Sequence, residues 1–187
     1  MHSLQHHLLI AMPSLQDPFF ARSVTYLCNH DEQGAMGLII NQPVDVTLDE
    51  LLRKMALKGA DFVLPSGLAN RVLMGGPVTP ERGFVLHSAL PGLGQSLALP
   101  DGLMITTSRD VLDTFGGEQQ PARSLVALGY AGWDAGQLEQ ELATNSWLTI
   151  PAEHDLLFDI PHEQRWEEAT RRLGVNVWQI SNDVGHS

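Results

Sequence analysis

Cysteine is nearly absent. Cys28 is the only one in 187 residues, so no internal disulfide can form and the small disulfide-framed secreted classes are excluded. Basic side chains are also scarce, with 11 Lys and Arg against 22 Asp and Glu and a formal net charge of −11. The imbalance is concentrated late in the chain. Residues 1–100 hold 6 basic and 8 acidic side chains, and residues 101–187 hold 5 and 14. A field of that sign repels phosphate backbones, because affinity for nucleic acid rests on Lys and Arg displacing counterions. Direct nucleic-acid binding is therefore disfavoured. The one adjacent basic pair, Arg171-Arg172, follows Glu167-Glu168 at i,i+4 spacing and reads as helix-surface ion pairs. No apolar run approaches the ~18 residues of a membrane span. The run Leu8 to Met12 has neither a basic flank before it nor a cleavage site after it, so neither a membrane association nor a secretory signal is expected, and the cytoplasm is the expected compartment.

Catalytic frames are missing too. The 8 histidines include no His-Glu-x-x-His helix motif, and only one thiol accompanies them, so no metal is expected. Gly34-Ala35-Met36-Gly37 has no Lys-Ser/Thr behind it, and Gly75-Gly76-Pro77 opens no dinucleotide fingerprint. Pro77 moreover has no N–H to give a phosphate. No cofactor is expected. Ser14, Ser88 and Ser108 stand outside any Gly-x-Ser-x-Gly elbow. Cys28 and His30, two apart on an extended segment, would share a face about 6.8 Å apart, beyond a working nucleophile–base contact. Cys28 reads first as a buried small hydrophobe, with a redox-sensing thiol as the alternative.

What the chain does have is ordinary globular material. The hydrophobic content is 43% and the mean hydropathy −0.05, at a length that buries a sizeable core without metal or disulfide. One domain over residues 1–187 is expected. Strands are predicted over Leu8–Met12, Val24–Asn29, Met36–Asn41, Arg71–Met74, Gly83–His87, Leu103–Thr106, Ser124–Gly129 and Trp147–Ile150. In the second of these, alternation puts Val24, Tyr26 and Cys28 on one face and Thr25, Leu27 and Asn29 on the other. Thr47 and Glu50 form a capping box ahead of a helix with Leu48, Leu51, Leu52 and Met55 on one stripe. Ser108 starts a short helix through Phe115, Asp134 with Gln137 starts another carrying Leu138 and Leu142, and Pro161 opens a last one closed by Gly174. Gly59 to Asn70 reads as a loop. Strands and helices do not alternate strictly, so a doubly wound parallel sheet is not expected. The pattern predicts an α+β fold with a mixed, strongly bent sheet and helices packed around it.

Glycine-rich strings sit at the edges of the apolar runs, and in order they resemble the bacterial YqgE/AlgH family. The resemblance starts at Leu9-Ile10-Ala11-Met12-Pro13, Asp17-Pro18, Arg22-Ser23-Val24, Gly34-Ala35-Met36-Gly37 and Asn41-Gln42-Pro43. It continues through Gly75-Gly76-Pro77-Val78, Phe84-Val85-Leu86-His87, Thr107-Ser108-Arg109-Asp110, Gly129-Tyr130-Ala131-Gly132-Trp133 and Gly136-Gln137-Leu138-Glu139. It ends at Asn145-Ser146-Trp147-Leu148 and Gly185-His186. The resemblance implies a single α+β domain whose split sheet folds toward a pseudo-barrel. It implies little about mechanism. Some members are labelled transcriptional regulators of alginate production, and the gene often neighbours one for a resolvase-like nuclease.

Candidate binding residues are Asn41, Gly75, Gly76, Pro77, His87, Arg109 and Trp133. Trp133 follows Gly132 at a strand-to-helix turn, where its ring either plugs the core or stands at a surface; with Arg109 it has the chemistry of an interface anchor. The leading expectation is a non-enzymatic regulatory or adaptor protein acting through a protein partner or a small ligand. An enzyme or thiol switch using Cys28, His30 or His87 stays open, as does a transcriptional regulator, although no helix-turn-helix pattern supports it.

Overall fold

The computed structural model describes residues 2–15, 17–18, 20–64 and 71–174. Among the described residues there are nine strands: β1 (His7–Ala11), β2 (Val24–Asp31), β3 (Gly34–Ile39), β4 (Val72–Met74), β5 (Val78–Ser88), β6 (Ser96–Leu99), β7 (Leu103–Thr106), β8 (Ser124–Asp134) and β9 (Trp147–Pro151). Four α-helices accompany them among the described residues: α1 (Leu48–Lys54), α2 (Asp110–Asp113), α3 (Gln137–Ala143) and α4 (Arg165–Leu173). The strands form one sheet in the order β6-β7-β5-β8-β3-β2-β1-β9, with β4 added beside β8. All pairings are antiparallel except β4 with β8. The sheet is a strongly curled half-barrel, in agreement with the bent, split sheet expected.

The split falls on β8. Its first half pairs with β5 on one side and β4 on the other, and its second half pairs with β3. Gly129 marks the change with φ +77°. Alternation reverses there: Leu125 and Ala127 face the same core as Tyr130, whereas regular pleating would turn Tyr130 away. The chain linking β4 to β5 crosses at this point. A Cβ on Gly129 would lie 2.4 Å from the Gly76 carbonyl oxygen, and one on Gly76 2.1 Å from the Tyr130 carbonyl carbon. Only bare backbone fits such a crossing.

Because the curled sheet is covered on both faces, the four residues of β1 after His7 are all apolar and buried. Leu8 and Ile10 enter one core with Val24, Tyr26, Leu86 and Trp166, roofed by α4 and by Leu156 and Leu157. Leu9 and Ala11 enter a second with Trp133, Leu138 and Trp147, under α3. A third core lies under α1 and α2, around Leu52, Val85, Phe115 and Val126. Across the open side of the curl, His6 bonds the Tyr26 hydroxyl at 2.9 Å and the Asp101 carboxylate at 2.8 Å, joining the β6–β7 end to the start of β1.

Several elements differ from expectation. Thr47 precedes α1 but donates its hydroxyl to Asp49 Oδ1 at 2.5 Å and caps no amide, so the Thr47–Glu50 box does not form. Ser108 donates to the Gly94 carbonyl at 2.7 Å, and α2 spans four residues behind Arg109. The Asp134–Gln137 pair makes one arm of a box, Gln137 Oε1 accepting the Asp134 amide at 2.9 Å, while Gly136 stands at the N-cap. Pro161 leads into a 3₁₀ turn, His162–Gln164, before α4 begins, and Gly174 closes α4 with φ +72° as expected. Strand β6 and the π-type turn Asp155–Asp159 had no sequence signal. The end of the Gly59–Asn70 loop, Trp178 and Gly185-His186 lie outside the described residues.

Candidate functional site

Two openings flank the β5–β7 pair. The first, about 360 Å³, lies between α1, α2 and the sheet. Leu51 and Met55 of α1 line it with Leu112 of α2 and with Val85, Val126 and Leu128 of the sheet; Glu81, Thr106 and Arg109 supply polar groups. Local sequence explains the hollow. The 3.6 period of α1 buries Leu48 and Leu52 in the core and leaves Leu51 and Met55 at its flank. Gly83 adds no side chain to the wall, and a Cβ there would meet nothing within 4 Å. The size and the ratio of apolar wall to few polar groups suit a small-molecule pocket.

Arg109 stands at its rim, exposed, and donates from Nη2 to the Met55 carbonyl at 2.9 Å. This bond ties the end of α1 to the start of α2. No carboxylate among the described residues pairs with Arg109. Behind Thr106 lies His87, 0% exposed. Its Nδ1–H donates to the Ser88 carbonyl at 2.8 Å, so Nε2 accepts from the Thr106 hydroxyl at 2.7 Å, and Ser96 Oγ lies 2.8 Å behind Thr106. Burial pushes the imidazole below its ordinary pKa, against the opposing effect of the Ser88 bond. The ring is therefore neutral and its two nitrogens are engaged. It orients Thr106 and is not positioned to take a proton from a ligand.

The second opening, about 590 Å³, sits on the other side of Thr107, with Arg82, Phe84, Met36 and Tyr130 around it and Cys28 at its floor. Cys28 is 1% exposed, and burial pushes its thiol up to about 12. Such a thiol is a poor nucleophile. The expected shared face of Cys28 and His30 is corrected by the register. Leu27 pairs with Gly37 and Asn29 with Met36, so Cys28 is the extra residue of a β-bulge. Cys28 and Asn29 both reach the second opening, whereas His30 pairs with Ala35 on the opposite side. There His30 Nδ1 accepts the Leu4 amide at 2.9 Å and Nε2–H donates to Glu139 at 2.5 Å. That bond holds the Glu139 carboxyl below its ordinary range. His30 fastens the N-terminal segment to α3.

The remaining candidates are dispersed. Asn41 accepts the Val24 amide and donates to the Arg22 carbonyl, both at 2.9 Å, pinning the turn before β2. Gly75 and Gly76 are the buried crossing over β8, and the exposed Pro77 follows them. Trp133 is 6% exposed, a core residue and not a surface anchor. Its ring meets Trp147 edge-on at 6.1 Å, and both indole N–H groups donate to one oxygen of Glu141. Of the sequence candidates, the first pocket thus gathers Arg109 and, through Thr106, His87. Glu81 and Thr106 were not anticipated; neither carries a motif, and only the pairing of Val85 with Thr106 brings β7 to this wall. Among the described residues no cluster of three or more His, Cys, Asp or Glu could hold a metal, and no helix is long and apolar enough to cross a membrane.

Comparison with known proteins matches residues 8–178 to a family described as AlgH-like. A UPF0301 protein of Shewanella oneidensis is 57% identical over 187 residues, covering 100% of both chains. One from Shewanella loihica is 56% identical over the same span. The solution structure of the AlgH protein from Pseudomonas aeruginosa shares 46% identity and a TM-score of 0.75, covering 96% of this chain and 93% of that one. A crystal structure from Corynebacterium diphtheriae, 20% identical with a TM-score of 0.66 over 89% of this chain and 85% of that one, shares the fold.

Proposed function

The chain belongs to the AlgH-like family, and from that premise we propose that it is a non-enzymatic regulatory protein. Its ligand, in this reading, is a small, largely apolar molecule bearing one anionic group, held between α1, α2 and the sheet. The observation that carries the proposal is the pocket of about 360 Å³ whose apolar wall ends at Arg109, a guanidinium with no carboxylate partner among the described residues. The apolar body of the ligand packs on Leu51, Val85, Leu112 and Val126, and its anion meets Arg109. The non-enzymatic half rests on the engaged state of the reactive groups: His87 is neutral and bonded at both nitrogens, and Ser108 gives its hydroxyl to Gly94. Regulation follows from the Arg109–Met55 bond, since a ligand drawing Arg109 inward changes how α1 and α2 are joined.

Octanoate and its neutral amide, titrated calorimetrically into the full chain, test this. Octanoate is expected to saturate and to bind about tenfold more tightly than the amide, the usual worth of one charge-assisted hydrogen bond. Arg109→Met should erase that preference while leaving the amide unaffected. Equal affinity for acid and amide, or no saturation by either, overturns the proposal.

A further inference from the structure

The strongest electrostatic anomaly of the molecule lies elsewhere, at the start of α4. Arg165 is 6% exposed in a chain whose acidic groups outnumber its basic ones two to one, yet among the described residues it has no carboxylate partner. Its Nε–H donates to the Ile160 carbonyl at 3.0 Å and Nη1 to the Ile40 carbonyl, and among the described residues Nη2 meets no acceptor. Two carbonyl dipoles solvate the cation but leave its charge uncompensated. Burial accordingly holds the guanidinium down to about 10, with nearby Glu163 opposing the effect. It is still charged at neutral pH.

Arg165 lines a recess of about 230 Å³ that β4, β8 and the residues entering α4 enclose. Arg71 of the β4 edge lines the same recess, and among the described residues it too has no ion-pair partner. Ser124 contributes a hydroxyl, and Pro161 and His162 bring the N-terminal end of the helical segment to the wall. The carboxylate of Asp159 lines the recess and pairs with Arg123 at 3.2 Å, and Glu163 lies 3.1 Å from the His162 Nδ1. An anion entering here would meet two guanidiniums that form no ion pair among the described residues, with the lining carboxylate of Asp159 already held by Arg123.

We propose that this recess is a binding site for a small oxyanion group, phosphate or carboxylate, with Arg165 as its buried anchor and Arg71 as its outer arm. The Arg165 fork is already oriented by two carbonyls, so little side-chain freedom is lost when a ligand arrives. The site shares no lining residue with the pocket between α1 and α2, so it stands or falls separately from the function proposed above.

The test follows the Arg165 Nε–Hε resonance of the isotopically labelled full chain while inorganic phosphate is added at constant ionic strength, with acetate in a parallel series. Saturable displacement of that resonance is expected, weakened about tenfold or more by Arg71→Ala, an exposed change that leaves the core intact. Saturation by phosphate alone identifies a phosphate ligand; saturation by acetate as well identifies a general oxyanion site. Arg165→Lys, which keeps the charge but loses the fork, should weaken binding without unfolding the chain. No saturation by either anion overturns the proposal, as does saturation that Arg71→Ala leaves unchanged.

Discussion

At the residue scale, burial decides what the reactive side chains can do. Cys28 is where a redox role would have to begin, and its packing opposes one. The thiol lies in the core with Tyr26, Leu38 and Phe84, and that burial pushes it up to about 12. A thiolate is the attacking species, so at neutral pH almost none is present in the folded state. We expect a soluble disulfide reagent to leave native protein unmodified over the time in which it fully labels the chain in denaturant. Rapid native labelling would show that the floor of the second opening admits reagent, and would restore the thiol switch. The sequence identified Cys28 as a small hydrophobe through its place among apolar residues. It gave no sign of the bulge that sends His30 to the opposite side, because a bulge is a property of pairing with β3 and not of β2 itself. Trp133 shows the same limit. Its turn position was readable, whereas its burial depends on Trp147 and Phe20, both distant in the chain.

At the element scale, the glycines are the best-signalled feature, and the structure assigns them to backbone crossing. Gly75, Gly76 and Gly129 meet where the β4–β5 connection passes β8, and no side chain fits between them. Gly129→Ala combines a left-handed φ with a contact of 2.4 Å to backbone that cannot move aside. It should cost at least about 2 kcal/mol. Gly92 has the same φ, +77°, with nothing within 4 Å, so Gly92→Ala should cost only about 1 kcal/mol. Chemical denaturation of the two variants checks the difference, and equal losses would mean that conformation alone, not the crossing, makes Gly129 necessary. Most elements were legible because their apolar period is local. Strand β6 was not: Ser96-Leu97-Ala98-Leu99 is short and largely exposed, and it exists because β7 offers it an edge. The π-type turn Asp155–Asp159 was hidden similarly, its Leu156 and Leu157 being drawn into the core by α4 and the sheet.

At the scale of the whole molecule, composition forecast the field better than pattern forecast the site. The curl of the sheet followed from strands that do not alternate strictly with helices, but both recesses depend on which strands become neighbours. Val85 meets Thr106, and Leu73 and Leu125 come beside Ile160, and neither juxtaposition has a local signal. The charge, by contrast, needed no fold. Four of the 11 basic side chains are held in ion pairs among the described residues: Arg172 engages Glu153, Asp155 and Glu168, Arg171 also pairs with Glu168, Arg53 with Asp49 and Arg123 with Asp159. Arg71 and Arg165 share one recess and Arg109 lies at another, so these three form no continuous basic stripe. Duplex binding requires several phosphates to be neutralised together, with affinity falling steeply as salt rises. A field set by −11 charges opposes each such contact. Fluorescence anisotropy with a labelled duplex should therefore show no saturable binding by the full chain at physiological ionic strength, and any weak association at low salt should vanish as salt is added. Tight binding that persists at physiological salt, or that discriminates between sequences, would require a basic surface that these arginines do not supply.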